Sequence, residues 1–168
     1  MLPVLLALAL AIDPGKSKAT FSVPHIFVAR VNGTIAIASG TVDVPADSPI
    51  PTSVTAQLAP ATVKTDDSDR DGALTSPDFF DVKEYPVWTF ASTKITPLSA
   101  TSFGIDGTLT IRGVTQPEHL DATITGDPTH PTYHAVGHID RKAFKMPVTR
   151  LDPVIGGTVD ITLDIITK

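Results

Sequence analysis

Eight stretches of this chain have period-two alternation or strong strand composition, and this pattern limits the fold more than any other feature. They lie at 19–31, 34–44, 52–63, 86–96, 102–112, 117–126, 132–144 and 158–167. Turn residues separate them, such as Asn32-Gly33 and Gly156-Gly157. The one helix signal is Ser76-Pro77-Asp78, an N-cap followed by proline at the first helical position. The sequence predicts an all-β fold, an eight-stranded antiparallel barrel with one short helix in the 70–85 connection.

Composition narrows the classes of protein that fit this pattern. A chain of 168 residues is most simply one domain, and it is large enough to bury a core or to enclose a cavity. The net charge of -5, without a cluster of lysine and arginine, argues against a nucleic acid or an anionic membrane as partner. No cysteine is present, which excludes disulfides and thiolate sites.

The first eleven residues form an apolar run of the length found in signal peptides. Ala9-Leu10-Ala11 offers a cleavage site of small residues, and Met1–Ala11 is too short to span a membrane, so no integral membrane segment is predicted. A basic stretch before the run is missing, so a first buried strand is the alternative interpretation. The favoured division is a signal-peptide remnant at 1–11 and one barrel domain at 12–168. We therefore expect a periplasmic or secreted bacterial protein.

One hairpin suggests a register for the barrel wall. A two-residue turn at Asn32-Gly33 would pair Val31 with Thr34. It would place Phe21, Val23, His25 and Phe27 on the inner face, opposite the small residues Ala36, Ala38 and Gly40.

Alternation gives inward sets for the other strands as well. These sets are Val54, Ala56, Leu58; Trp88, Phe90; Phe103, Ile105, Leu109, Ile111; Leu120, Ala122, Ile124; Ala135, Gly137, Ile139; and Val159, Ile161, Leu163. Aromatic rings alternate with alanine and glycine. The mixture fits a lumen that holds a slender apolar ligand, and it fits equally a close-packed core.

Four segments in a fixed order resemble one protein family. They are TFSVPH (20–25), RDGALTSPDFFDVKEYPVWTFAST (70–93), GTLTIRGVTQP (107–117) and IDRKAFKMP (139–147). Together they are similar to the YceI-like polyisoprenoid-binding family, from about Ile12 to the C-terminus. The chain departs from the usual family pattern at Lys16-Ser17, Ala73 and Lys145.

The resemblance implies a lipocalin-like barrel, usually exported, often a homodimer, that holds an isoprenoid or other lipid-like chain in its lumen. Phe79 and Phe80 would then project from the short helix at the barrel's mouth, with Tyr85 and Trp88 beside them, or would only cap the core. Asp69, Arg70 and Asp71 are interpreted as a loop anchor. The predicted ligand-binding residues are Phe21, Val23, His25, Phe27, Ala38, Phe79, Phe80, Tyr85, Trp88, Phe90, Phe103, Leu109, Ile111, Ala135 and Gly137.

The favoured function is non-catalytic binding and carriage of such a ligand, without a cofactor. The alternative is a hydrolase or isomerase that acts on a similar lipid inside the barrel, although the motifs G-x-S-x-G and H-E-x-x-H are absent. His25 could bond a ligand's polar end or be a satisfied core histidine. His119 and His138 are expected to face each other on the outer surface, as solvated side chains or as a metal pair.

The same hairpin register predicts the surface used for dimerisation. It leaves Ile26, Val28, Ile35 and Ile37 on the outer wall, where polar residues are expected. Either the N-terminal segment folding back or a second copy of the chain would cover this apolar patch, and the second copy is favoured because Met1–Ala11 is expected to be removed.

Overall fold

The computed structural model describes residues 6–25, 28–146 and 156–168. In these ranges the chain forms nine β-strands, one α-helix and a single-turn 3-10 helix. The strands are β1 Ala7–Ala11, β2 Lys18–His25, β3 Val28–Pro45, β4 Ser53–Lys64, β5 Trp88–Pro97, β6 Ser102–Ile111, β7 Val114–Asp127, β8 His130–Asp140 and β9 Thr158–Ile166. Helix α1 is Ser68–Thr75, and the 3-10 helix is Arg141–Phe144.

Strands β2 to β9 form a closed antiparallel barrel. Their order around the wall is β3-β2-β9-β8-β7-β6-β5-β4, and β4 pairs back to β3. The pairing of β2 with β9 places Lys18 beside Asp164. The prediction of an all-β, eight-stranded antiparallel barrel is confirmed.

Strand β1 lies outside this ring and pairs with β3 alone among the strands described. Ala7 pairs with Pro45 and Ala11 with Thr41, along the same edge of β3 that β2 uses further on. Ile12 follows, forms a bridge to Thr167 and is buried. Part of the predicted signal remnant is therefore a strand, but β1 is mostly exposed and is not the buried strand of the alternative interpretation. Whether residues 1–11 are removed stays a prediction.

The predicted hairpin at Asn32-Gly33 is wrong. Both residues lie inside β3, where Ser22 pairs with Asn32 and Phe21 with Gly33. A Cβ at position 33 would collide with the ring of Phe21, so the glycine gives the ring room and does not make a turn. The chain reverses instead between His25 and Val28, after a register shift at Pro24.

In the observed register, Ile35 and Ile37 of β3 point to the opposite side of the barrel wall from the one predicted. Val31, Ile35 and Ile37 point into the barrel, because a slip of one residue moves every side chain of a strand to the other face. A bulge between Ile37 and Ser39 leaves Ala38 exposed. The prediction that Ala38 faces the lumen is therefore wrong.

The prediction that Ile35 and Ile37 form part of an outer apolar patch for dimerisation is wrong for the same reason. Ile35 and Ile37 are 6% and 3% exposed and line the interior. Ile26 lies outside the described residues, as does the side chain of Val28. This patch is not available as an interface.

The short helix lies earlier than the sequence predicted. Asp67 caps α1, because its Oδ1 accepts hydrogen bonds from the amides of Asp69 (3.1 Å) and Arg70 (3.0 Å). Ser76, predicted as the N-cap, is the C-cap. Phe79 and Phe80 therefore lie in the turns after the helix, in the connection from β4 to β5.

Candidate functional site

The barrel encloses a cavity of about 390 Å³. Ligand-binding cavities commonly measure about 300–1,000 Å³, so the space suits a small or slender molecule. Its lining is almost wholly apolar and comes from the barrel strands, α1 and the connections at the barrel ends. The sequence did not distinguish a filled core from a hollow lumen, and the structure has a lumen.

Most of the predicted ligand-binding residues line this cavity. Those that do so are Phe21, Val23, His25, Phe79, Phe80, Trp88, Phe90, Phe103, Leu109, Ile111 and Ala135. Those on β6 and β8 lie on strands whose pairings with β7 have no register shift, so alternation alone oriented them. Whether these side chains contact a ligand stays a prediction.

The other four predicted ligand-binding residues are not among the described residues that line the cavity. Ala38 is exposed at the bulge, and Phe27 lies outside the described residues. Tyr85 is half-buried beside Gly113 and does not line the cavity. Gly137 belongs to the wall, but Leu120 and Glu118 cover it: a Cβ there would lie 2.7 Å from Leu120 Cδ2 and 3.2 Å from Glu118 Oε1.

Several lining residues were missed in the sequence. Ile35 and Ile37 were assigned to the wrong face, and no inward role was given to Ile12, Leu74, Glu118, Tyr133, Arg141 or Met146. Glu118 could have been found, since it lies two residues before inward-facing Leu120 on the same strand. The hydrophobic pattern hid it, because a carboxylate seldom lines an apolar interior.

One end of the barrel is closed by a bond across its width, and we call this end the floor. The hydroxyl of Tyr133 on β8 donates to the carbonyl oxygen of Pro49 in the β3–β4 connection, at 2.7 Å. Phe103 packs against Tyr133 edge to face, with ring centroids 5.9 Å apart. Burial raises the pKa of Tyr133 to about 12, so the hydroxyl stays neutral and keeps its proton.

The opposite end, where α1 and the 3-10 helix lie, is called the helix end. Phe79 and Phe80 are both buried there and both line the cavity. The ring of Phe80 stands edge to face against Trp88, with centroids 4.7 Å apart. The two rings thus belong to the lumen, whereas the sequence left open that they only cap the core.

The predicted loop anchor centres on Thr65. Asp71 accepts hydrogen bonds from the amide of Thr65 (2.9 Å) and from its hydroxyl (2.6 Å). Arg70 donates through Nε to the same hydroxyl at 2.9 Å and also lines the cavity. These bonds tie α1 to the end of β4 and fix Arg70 at the helix end.

Apart from Tyr133 at the floor, the charged and titratable side chains that line the cavity within the described residues lie toward the helix end. His25 ends β2, Arg70 belongs to α1, and Arg141 begins the 3-10 helix and donates to the carbonyl of Gly156 at 2.9 Å. Glu118 lies four residues from the start of β7, about 13 Å along the strand. The lumen therefore has an apolar end and an end with polar groups.

Glu118 contributes a carboxyl group to the cavity lining. Burial raises its pKa to about 7, and the nearby amide of His119 and the imidazoles of His138 and His119 offset only part of that effect. Its side chain forms no ion pair within the described ranges. Near neutral pH, the lumen therefore contains a carboxyl group that is partly protonated.

The outer histidines are each held by aspartate. Nδ1 of His119 lies 2.7 Å from Asp106, and Nδ1 of His138 lies 2.7 Å from Asp160. The hydrogen bond that Asp106 accepts from His119 is the main cause that raises the pKa of His119, with a second contribution from Asp121. Residues 6–25, 28–146 and 156–168 contain no group of three or more side chains placed to hold a metal ion. Nor does any helix there have the length and apolar character to cross a membrane.

This chain is similar to known proteins in both sequence and fold. The curated relatives include a UPF0312 protein of Pseudomonas savastanoi pv. phaseolicola and one of Azotobacter vinelandii, 31% and 30% identical over 111 residues. The match covers 66% of this chain and 58% of each relative.

Solved structures show the same fold. BcnA of Burkholderia cenocepacia has a TM-score of 0.83 at 22% identity, over 94% of this chain and 99% of its own. A polyisoprenoid binding domain from Saccharophagus degradans has a TM-score of 0.71 at 15% identity, over 96% and 98%. The family described as YceI-like domain matches residues 10–167, and the chain belongs to that family.

Proposed function

We propose that the protein binds one long apolar ligand, an isoprenoid or another lipid-like chain, in the barrel lumen and carries it without changing it chemically. The observation that supports this most is the lumen, a cavity of about 390 Å³ with an apolar lining and polar groups toward one end. Burial of apolar surface contributes about 25 cal/mol per Å², so a hydrocarbon chain gains free energy along the whole lining. Family membership and the similarity to the polyisoprenoid binding domain from Saccharophagus degradans agree with this class of ligand.

The polarity of the lining also suggests how the ligand lies. An apolar tail would extend toward the floor, past Phe103 and Ala135. A polar end group would stay near Arg70, Glu118 and Arg141, because it loses less hydration there than among aromatic and aliphatic side chains.

Ligand binding can be followed with the single tryptophan of the chain, Trp88, which lines the cavity. Titration with geranylgeraniol, a prenyl alcohol, should change the Trp88 fluorescence and saturate at one molecule per chain. Ala135→Phe should abolish this response, since Ala135 is 4% exposed and lines the lumen. Overpacking typically costs about 1–3 kcal/mol of stability, so folding is checked by circular dichroism.

Val136→Phe is the matched control. Val136 is the next residue of β8 and is 41% exposed on the outer face. It should bind geranylgeraniol as the wild type does. Loss of binding in both variants, or in neither, would place the binding site outside the lumen.

A second candidate is the hydrolase or isomerase acting on a similar lipid. The observation in its favour is Glu118, since a carboxyl group with a pKa near 7 suits a general acid or base. Incubation with geranylgeraniol and its diphosphate, followed by chromatography, separates the two functions. Recovery of both compounds unchanged supports carriage, and a product that disappears in Glu118→Gln supports the enzyme.

Export is a separate proposal that is supported by the apolar run in residues 1–11. Cleavage after Ala11 would remove β1 and leave buried Ile12 at the start of the barrel domain. Expression with a complete basic leader and N-terminal sequencing of the periplasmic protein would test this. An intact Met1–Ala11 segment on protein retained in the cytoplasm would speak against it.

A homodimer also remains a proposal, supported by the family resemblance alone. Substitution of Ile35 and Ile37 would not test it, because those side chains line the lumen. Sedimentation of the wild type decides whether a dimer exists, and a monomer at high micromolar concentration would end this proposal.

A further inference from the structure

The carboxyl group of Glu118 has a place built for it in the barrel wall. The residue is 9% exposed, lines the lumen, and lies against the backbone of β8 where Gly137 has no side chain. A Cβ at position 137 would lie 3.2 Å from Glu118 Oε1, so the glycine leaves the space that the carboxyl occupies. The acid is thus held within the barrel wall, 9% exposed, where it also borders a small pocket on the outer face beside His119 and His138.

The charged groups around Glu118 come from four other elements. Inside the lumen these are His25 from β2, Arg70 from α1 and Arg141 from the 3-10 helix. On the outside, His119 follows Glu118 on β7, and His138 stands on β8.

The two arginines are engaged with loops near the helix end. Arg70 donates to Thr65, and Arg141 donates to the carbonyl of Gly156. Neither forms an ion pair with Glu118 within the described ranges. Among the described residues, the amide of His119 and the imidazoles of His138 and His119 stabilise the charged carboxylate, and they offset only part of the effect of burial.

A ligand in the lumen would alter this balance further. An apolar chain displaces water from beside the carboxyl, and loss of water favours the neutral form of an acid. A protonated carboxyl has one hydrogen-bond donor, and a buried donor requires an acceptor. An oxygen atom of the ligand is then the natural partner.

On the basis of the proposed function, we propose that Glu118 contacts the ligand as a neutral acid and donates a hydrogen bond to an uncharged oxygen, such as that of an alcohol or a carbonyl. The site then selects neutral amphiphiles over ligands that end in an anion. Binding takes up a proton, since the ligand stabilises the protonated form. Affinity for a neutral ligand is highest where Glu118 is already protonated, and it falls as pH rises through the pKa of the empty protein.

The test uses two probes with the same prenyl chain, geranylgeraniol and geranylgeranyl diphosphate, titrated by Trp88 fluorescence. Wild type should bind the alcohol about tenfold more weakly near pH 8.5 than near pH 6, since a tenfold change in affinity corresponds to about one pKa unit between empty and filled protein. Glu118→Gln keeps a donor of similar size without titrating. Its affinity for the alcohol should be the same at both pH values, and its preference for the alcohol over the diphosphate near pH 8.5 should fall about tenfold.

Asp127→Asn is the matched control. Asp127 lies on the same strand but is exposed at its far end, where it contacts Thr129, so its variant should keep the wild-type pH profile. A wild-type profile in Glu118→Gln would overturn the inference and leave lumen binding intact. Wild type that binds the diphosphate more tightly than the alcohol would overturn the selectivity. Failure of the wild type to bind either probe at any pH would overturn the proposed function, and the inference with it.

Infrared titration of the wild-type protein provides a measurement that does not depend on the variant's folding. The carbonyl band of a protonated carboxyl should persist near neutral pH, and geranylgeraniol should move its midpoint upward. A midpoint that stays fixed when geranylgeraniol saturates the Trp88 signal would overturn the proposal.

Discussion

The floor and the helix end of the barrel enclose the same lumen but are built from different side chains. At the floor, Phe103 and Tyr133 pack edge to face, and the Tyr133 hydroxyl bonds across the barrel to Pro49. At the helix end, Arg70, Glu118 and Arg141 share the lining with aromatic rings. The difference separates two tasks: the floor holds the shape of the barrel, whereas the helix end carries the groups that can distinguish one ligand from another.

The largest expected effect is at the floor. Phe103 is 1% exposed, and Phe103→Ala should lower the free energy of unfolding by about 3–5 kcal/mol, the usual range for removal of a buried phenylalanine ring. Phe79→Ala, in a connection at the helix end, should cost less because the surrounding chain can relax into the space. Urea denaturation of both variants measures the two losses. An equal or larger loss for Phe79→Ala would remove the distinction between the ends.

The second largest effect is a pH-dependent change in stability, and it is expected when Glu118, toward the helix end, is replaced. The pKa of Glu118 is about 7 in the folded protein and ordinarily 4.5, so the unfolded chain ionises first as pH rises. Wild type therefore loses stability between about pH 4.5 and pH 7, and Glu118→Gln does not. The variant should be more stable by up to about 3 kcal/mol near pH 8.

Denaturation at two pH values checks this expectation. The advantage of Glu118→Gln should vanish below about pH 4.5, where the wild-type carboxyl is protonated in both states. Asp121→Asn, on the same strand but exposed, should show no comparable gain. A gain that does not vary with pH would mean that the carboxyl keeps an ordinary pKa.

A third, smaller effect tests what the cross-barrel bond at the floor contributes. Tyr133→Phe keeps the ring and removes the hydroxyl that donates to Pro49. We expect a loss of about 1 kcal/mol in the free energy of unfolding, the typical contribution of one hydrogen bond. The affinity for geranylgeraniol should not change. A variant that keeps its stability but loses affinity would assign the Tyr133 hydroxyl to ligand binding and contradict the comparison.

The smallest effect is expected outside the lumen. Asp106 raises the pKa of His119, so this pair stabilises the fold below about pH 6.5 and loses that contribution as pH rises through the folded pKa. Both side chains are about half exposed, which limits the effect of Asp106→Asn to a few tenths of a kcal/mol near pH 5.5. Nuclear magnetic resonance titration should show a lower pKa for His119. Any effect on ligand affinity would mean that the outer wall and the lumen are coupled.

Strands β6 to β9 could be oriented from the sequence because their pairings with one another have no register shift. In β6, Phe103, Ile105, Leu109 and Ile111 all point inward as predicted. The rule failed in β3, where Gly33 makes room for the Phe21 ring and a bulge leaves Ala38 exposed. The dipeptide Asn-Gly can form a turn, or its glycine can lie under an aromatic ring inside a strand. Which of the two structures forms depends on a residue of the neighbouring strand.

The candidate site was only partly predictable for a related reason. Hydrophobic alternation identified the rings of Phe90 and Phe103, whose burial follows from their own chemistry. It could not identify Glu118, because a buried acid depends on the space left by Gly137 on the next strand. Contacts between strands, and not the pattern along one strand, decide which polar groups lie inside.

The closure between β2 and β9 has a consequence for the order in which the protein is made. The Ser17 hydroxyl donates to the carbonyl oxygen of Ile166, 149 residues later, so this seam cannot form until β9 has been synthesised. Contacts between distant parts of a chain slow folding, and unpaired strand edges are prone to aggregate while they wait. During synthesis the future lumen is an open apolar sheet, and we expect the nascent chain to require protection by a chaperone until β9 completes the wall.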